Sequence, residues 1–95
     1  MKITTWVIAV HNSDKDATQL YRKFGNANDI ADIIWNMMLD QKKKNEEDWD
    51  EDISYRRENI KENDEGVIYS CAQFYDYHID YTAWQLDDIQ EVPEE

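Results

Sequence analysis

The residues with the clearest chemical potential form an acidic run in the middle of the chain. Residues 46–52 read EEDWDED, so six carboxylates occupy seven positions around Trp49. Alternating carboxylates are typical of a calcium-binding loop, in which they supply ligands one, three and five. That register places Ile53 where the loop needs glycine and Asn59 where it needs a bidentate glutamate. The run therefore does not fit a calcium loop of this type.

A second group of candidate residues lies in the C-terminal third of the chain. Asp76, His78 and Asp80 alternate, and Cys71 with His78 is a candidate nucleophile–base pair. A strong metal site needs three or four converging ligands, and the other histidine, His11, is distant in sequence. The chain has two glycines, with no phosphate-binding motif and no candidate oxyanion loop. We therefore expect no enzymatic activity, no metal and no cofactor.

The distribution of charge is more informative than its total of −12. Residues 45–65 hold ten acids and three bases, a net −7, and residues 86–95 hold five acids and no base. The rest of the chain balances seven acids with seven bases. Direct binding of nucleic acid needs clustered Lys and Arg, and the compact basic sets here lie beside carboxylates. A localised negative field is therefore the expected feature of the surface.

Strands are predicted at both ends of the chain. Residues 2–10 are rich in Ile, Val, Thr and Trp on both faces and predict an interior strand. Residues 14–25 match a short helix but equally a second strand of a hairpin, which Thr, Tyr and Phe favour slightly. Residues 67–86 predict a hairpin that turns near Asp76 and Tyr77. With a two-residue turn, one face would hold Ile68, Ala72, Phe74, Ile79, Tyr81 and Ala83.

The middle of the chain predicts one strong helix followed by a weaker element. Apolar residues recur at helical spacing from about 29 to 44, after a candidate N-cap at Asn26 or Asn28. In residues 45–63, Trp49, Ile53 and Ile60 fall on one narrow helical stripe. This segment is therefore expected to be an acidic helix or an ordered loop that docks on the domain.

These elements predict an α+β fold with an antiparallel sheet of three to four strands packed against the helix at about 29–44. We expect one domain over residues 1–88 and an acidic tail over residues 89–95. No apolar stretch is long enough to cross a membrane, and a single cysteine suits a reducing compartment. The expected location is therefore the cytoplasm.

The acidic segment is also the predicted partner-binding surface. Helical carboxylates four residues apart are separated by about 6 Å along the axis, and DNA presents a phosphate about every 3.4 Å per strand. Such carboxylates can occupy a basic groove that otherwise binds nucleic acid, and Trp and Tyr are favoured as anchors. The predicted surface consists of Glu46, Glu47, Asp48, Trp49, Asp50, Glu51, Asp52, Tyr55, Glu58 and Glu62. The alternative is that the acids only maintain solubility and that Trp49 packs on the helix.

Two stretches resemble a group of known proteins. TWVIAVHNSD at residues 5–14 and YSCAQFYDYHIDYTA at residues 69–83 are similar to small uncharacterised proteins of Gram-positive bacteria and their phages. In size and acidity the chain also resembles phage DNA-mimic inhibitors, which include anti-CRISPR and anti-restriction proteins. This likeness implies a non-enzymatic inhibitor that binds a basic nucleic-acid-binding host protein. The competing hypothesis is a small cytosolic interaction module, with a homodimer formed through a sheet edge.

Overall fold

The structure, a computed structural model, describes residues 4–86. In chain order it contains β1 (Thr4–Asn12), β2 (Ala17–Gly25), α1 (Ala27–Lys44), single-turn 3-10 helices at Glu46–Asp48 and Arg57–Asn59, β3 (Val67–Gln73) and β4 (His78–Gln85). The predicted α+β class is confirmed, because one four-stranded antiparallel sheet accompanies one main helix. The predicted acidic tail at residues 89–95 lies outside the described residues.

The sheet consists of two hairpins joined through their first and last strands. Its strand order is β2-β1-β4-β3, and every neighbouring pair is antiparallel. The predicted interior strand is therefore β1, which continues to Asn12 because that residue still pairs with Ala17. Of the two alternatives for residues 14–25, the strand forms, since β2 pairs with β1 along all nine of its residues.

The second hairpin turns where the sequence predicts, although its pairing register differs. The predicted common face is buried, and it holds Ile68, Ala72, Phe74, Ile79, Tyr81 and Ala83. Gln73 pairs with His78, so the loop contains four residues rather than two. The reason is local: the Phe74 N–H donates to the Tyr77 carbonyl at 2.9 Å, and the two rings stack with centroids 4.5 Å apart.

The helix α1 begins with a reciprocal capping box. The Asn26 Oδ1 accepts a hydrogen bond from the Asp29 N–H at 2.9 Å, and the Asp29 Oδ2 accepts one from the Asn26 N–H at 3.0 Å. Three lysines, at 42–44, occupy the last turn and complement the helix dipole. Within residues 4–86, no helix combines the length and apolarity needed to cross a membrane.

Gly25 allows β2 to pass directly into this helix start. A Cβ at this position would lie 2.9 Å from both the Cβ and the Oδ2 of Asp29, which is too close. The Gly25 carbonyl also accepts a hydrogen bond from the Trp6 indole at 3.1 Å. One glycine therefore brings the first strand, the helix cap and a core aromatic ring together.

The hydrophobic core lies between α1 and one face of the sheet. Its buried members are Trp6, Ile8, Ile30, Ala31, Ile34, Met38, Trp49, Ile60, Ile68, Ala72, Phe74, Ile79, Tyr81 and Ala83. None of them belongs to β2, whose first eight residues are exposed and whose last, Gly25, is buried. The core therefore rests on β1, β3 and β4, and β2 is a projecting edge.

We expect the substitution Asn26→Ala to lower the free energy of unfolding by about 1 kcal/mol, because it removes the N-cap acceptor. Asn36→Ala is the matched control, since this exposed asparagine lies inside α1. At position 36, alanine should raise the free energy of unfolding slightly, because its helix propensity is higher than that of asparagine. Urea unfolding of both variants tests the pair, and equal effects of the same sign would contradict the capping assignment.

Candidate functional site

The acidic segment, residues 45–65, follows α1 and contains two 3-10 turns joined by irregular chain. Of the two alternatives that the sequence left open, the acidic helix does not form. A helix would place Glu47 beside Glu51 and Asp48 beside Asp52, and like charges at this spacing are destabilising. The segment instead forms short turns with local hydrogen bonds, and it bonds to the edge of the sheet at both ends of β3.

Trp49 is the buried centre of the acidic segment. Its side chain is 6% exposed, and its ring lies 4.9 Å from the Tyr55 ring and 5.3 Å from the Phe74 ring, between centroids. The Lys42 ammonium lies 5.5 Å from the same ring, in a cation–π contact. Of the two roles that the sequence left open for Trp49, an exposed anchor and a packed side chain, the structure shows the packed one, and Trp49 holds the segment in place.

The segment also forms hydrogen bonds with the backbone at both ends of the outer edge of β3. At one end the Asp50 N–H donates to the Gln73 carbonyl at 3.2 Å and the Tyr75 N–H donates to the Asp48 carbonyl at 2.8 Å. The Gln73 N–H donates to the Tyr55 hydroxyl at 2.7 Å, and burial raises the pKa of that hydroxyl. The chain near the carboxylates is therefore fixed by backbone bonds as well as by packing.

The other end of β3 is bonded in the same way. The Asn63 N–H donates to the Val67 carbonyl at 2.9 Å, and the Asn63 side chain accepts from the Val67 N–H at 3.0 Å. Glu62 forms a bridge to Ile68. The acidic segment thus spans the outer side of the strand and is attached at both ends.

Arg57 joins the acidic segment to the first turns of α1. Its guanidinium donates to the Asp32 carboxylate at 2.6 Å, to the Asn28 carbonyl at 2.9 Å and to the Asn28 side chain at 2.8 Å. A further N–H donates to the Ile60 carbonyl at 3.1 Å. No sequence pattern indicated this residue, because its partners lie 25 and 29 positions away.

The carboxylates of the predicted surface face solvent along this fixed path. Exposed members are Glu46, Glu47, Asp48, Glu51, Asp52, Glu58 and Glu62. Asp50 is half-buried, and its carboxylate accepts a hydrogen bond from the Asp52 N–H at 3.0 Å. Tyr55 is half-buried as well.

Few of these charges are neutralised by the domain itself. Within residues 4–86, none of the six acids in the run 46–52 forms a salt bridge. Glu58 pairs with Arg56 at 3.4 Å, and Glu62 accepts from the Gln85 amide at 2.9 Å. The run therefore presents a negative field without ion pairs among the described residues, with Lys42 close by at Trp49.

An apolar groove lies beside the run, and sequence reasoning did not identify it. It has a volume of about 360 Å³ between α1 and the segment, and its lining includes Trp35, Leu39, Ile53, Lys42 and Glu51. Leu39 is 41% exposed and Ile53 is 37% exposed, whereas Ile53 was expected on the docking stripe. The wide apolar face of the helix was the available signal, since Trp35 and Leu39 extend it beyond one stripe.

The second group of candidate residues gathers on the other face of the sheet. Asp80 accepts a hydrogen bond from the Tyr69 hydroxyl at 2.9 Å, and its carboxylate lies 3.3 Å from the His78 Nε2. Asp76 lies in the loop, away from these strand positions. Among residues 4–86, no group of three or more His, Cys, Asp or Glu is arranged to hold a metal ion.

The electrostatics of this cluster disfavour nucleophilic chemistry. Burial, followed by the nearby Asp80 carboxylate, raises the pKa of the Cys71 thiol to about 11. The hydrogen bond to Asp80 raises the pKa of the Tyr69 hydroxyl to about 12. Because the thiolate is the nucleophilic form, a thiol with so high a pKa reacts poorly at neutral pH.

Comparison with known proteins adds no family to this description. No protein-family model, no curated protein and no solved structure matches the chain. The class of the protein is therefore given by its own features: an α+β domain with an acidic segment fixed along one edge of its sheet.

We expect Arg57→Lys to lower the free energy of unfolding by about 2 kcal/mol, because lysine cannot reproduce the fork that reaches Asp32 and Asn28 together. Arg56→Lys is the matched control. Arg56 is exposed, and within residues 4–86 its guanidinium pairs with Glu58 alone, so its replacement should change stability by less than about 0.5 kcal/mol. Chemical denaturation measures both, and equal losses would show that Arg57 does not hold the segment.

The raised pKa of Cys71 also predicts a pH dependence. A folded-state pKa above the model value of 9.0 means that the folded protein retains the thiol proton. The corresponding stability is therefore present below pH 9 and is lost as the pH rises towards about 11. The rate of alkylation of Cys71 by iodoacetamide should likewise rise with an inflection near 11 rather than 9.

Asp80→Asn provides the control for this prediction. Removal of the carboxylate should lower the pKa of Cys71 only in part, because burial is the larger cause of the shift. An inflection at or below pH 9 in the unsubstituted protein would show that the thiol is neither buried nor influenced by Asp80 as described.

Proposed function

We propose that the protein is a non-enzymatic inhibitor from a phage or mobile element. Its acidic segment would bind a basic nucleic-acid-binding host protein, such as a CRISPR or restriction effector, in place of nucleic acid. The site of action is the cytoplasm of the bacterial host. The observation that carries the proposal is the run 46–52, in which six carboxylates without salt bridges are attached to a rigid sheet edge.

The charge density of the run supports mimicry of a nucleic-acid strand. Seven residues span at most about 24 Å when extended, so six carboxylates occur about once every 4 Å or less. One strand of DNA carries a phosphate about every 3.4 Å. The comparison depends on charge density and not on helical spacing, because the segment contains no α-helix. A groove that is built for phosphates would therefore meet a similar number of negative charges.

The rigidity of the segment supports binding by reducing its entropic cost. A flexible acidic loop would lose conformational entropy on binding, at about 1–2 kcal/mol for each residue that becomes ordered. Here Trp49 and the bonds to β3 already fix the chain near the carboxylates. The charges are thus preorganised, which favours affinity.

The apolar groove supports a protein partner over a purely solubilising role for the acids. Leu39 and Ile53 expose apolar surface directly beside Glu51. Protein interfaces combine a buried apolar centre with a polar rim, and this groove with its acidic margin has both parts. A side chain from the partner that enters the groove would add specificity to an otherwise electrostatic contact.

The second candidate function is an interaction module whose acidity serves only solubility. The open outer edge of β2 favours this second function, because the unpaired backbone groups of an edge strand can pair with another chain. The two functions differ in their dependence on charge. Partner binding through the carboxylates weakens as salt rises, whereas pairing through a sheet edge does not depend on them.

The quadruple variant Glu47→Gln, Asp48→Asn, Glu51→Gln, Asp52→Asn should abolish partner binding under the proposed function. The measurement is displacement of duplex DNA from a panel of purified CRISPR and restriction effectors. We expect the unsubstituted protein to displace DNA from at least one effector, and the variant to require at least about 100-fold more protein.

The control carries the same change of charge at other exposed acids: Asp14→Asn, Asp16→Asn, Asp64→Asn and Glu65→Gln. Both variants make the net charge less negative by four units, so a loss confined to the first assigns the effect to the run 46–52. The proposal would be wrong if no effector released DNA, or if both variants lost activity equally.

A further inference from the structure

The two outer edges of the sheet differ in how they are protected. On β3 the acidic segment bonds to both ends of the strand, through Asp50 and Tyr55 at one end and Asn63 at the other. An edge covered in this way cannot readily accept another strand. The fold thus closes one side of the sheet with a dedicated piece of chain.

The opposite edge, β2, has no such cover. Within residues 4–86, β1 is the only strand that pairs with it, and no loop bonds to its outer side. It is nine residues long, and its apolar side chains Leu20 and Phe24 are 69% and 72% exposed. A long edge strand without bulge or proline is a site for addition of another strand.

We propose that two copies of this chain associate through β2, by antiparallel pairing of β2 with the β2 of the second copy. The result is a continuous eight-stranded sheet around a two-fold axis. This inference does not depend on the proposed function. The open edge is assigned to a second copy because the charge of β2 and the symmetry of the pairing both fit that occupant.

The distribution of charge across the sheet favours association through β2. β2 contains Arg22 and Lys23 and no acid, and it lies at the edge opposite β3, to which the acidic segment bonds. With strands about 4.8 Å apart, the parts of the two acidic segments that bond to the outer edge of β3 would be about 40 Å from each other. This is several times the screening length of about 8 Å at physiological salt. Two strongly acidic chains therefore meet where their repulsion is smallest.

The two-fold axis between the two β2 strands determines which of their residues face each other. Full overlap of two antiparallel copies of Ala17–Gly25 centres the axis on Tyr21. Arg22 then lies opposite Leu20 of the second copy, and Lys23 lies opposite Gln19. The basic residues consequently face uncharged ones, and the aliphatic part of Arg22 covers an exposed leucine.

Sedimentation equilibrium of the full chain over a range up to about 1 mM tests the association. We expect a reversible species of twice the 11.4 kDa chain mass. Tyr21→Lys places two ammonium groups beside each other across the axis, and should raise the dissociation constant at least about tenfold. Tyr21 is 36% exposed, and its hydroxyl donates a hydrogen bond to Gln19. Its backbone pairing with Ile8 does not depend on the side chain, so the fold should be unaffected.

Tyr75→Lys is the matched control, because Tyr75 is 60% exposed in the β3–β4 loop. Both substitutions make the chain less negative by one charge and reduce general repulsion equally. A loss of association in the Tyr21 variant alone therefore locates the contact at β2. Equal weakening by the two substitutions, or a monomer throughout the concentration range, would overturn the inference.

Disulfide cross-linking tests the position of the two-fold axis independently. In a Cys71→Ser background, Tyr21→Cys should form a disulfide-linked dimer on mild oxidation, since each new thiol lies opposite the thiol at the same position of the second copy. Tyr75→Cys in the same background should remain monomeric. A linked dimer from Tyr75→Cys but not from Tyr21→Cys would place the contact elsewhere and overturn the assignment.

Discussion

Burial of Trp49 attaches a strongly acidic segment to a sheet edge that would otherwise be open. Removal of a tryptophan side chain from water contributes about 4 kcal/mol or more. Exposed carboxylates about 7 Å apart repel each other by about 0.6 kcal/mol per pair in water, so five neighbouring pairs in the run cost about 3 kcal/mol. The first quantity exceeds the second, so packing of one aromatic side chain can offset the repulsion.

The same attachment explains the asymmetry of the domain. Arg57 and the backbone bonds near Asp50 and Asn63 hold the acidic segment on β3. Negative charge is thereby concentrated at one side of the sheet, while β2 at the other side carries basic residues and a free edge. The proposed partner surface and the proposed self-association surface are separated by the width of the sheet, so neither blocks the other.

The elements with strong local patterns were predictable from the sequence, and the elements defined by distant partners were not. The helix follows from its apolar spacing and its Asn26 cap, which are both local. Residues 14–25 fitted two patterns, and pairing with β1 decides between them. The stripe of Trp49, Ile53 and Ile60 suggested a helix, but Trp49 and Ile60 are buried by contacts that the tertiary fold creates. The groove at Leu39 and Ile53 likewise exists only after folding.

The central claim is that the acidic run belongs to an ordered, docked surface and not to a solvated loop. Amide hydrogen exchange tests it most directly, because it reports whether individual backbone N–H groups stay bonded. The account predicts slow exchange at Asp50, Gln73 and Tyr75, with protection close to that of the β3–β4 pairs. Rapid exchange at these three amides, beside slow exchange in the sheet, would show that the segment is detached and would contradict the account.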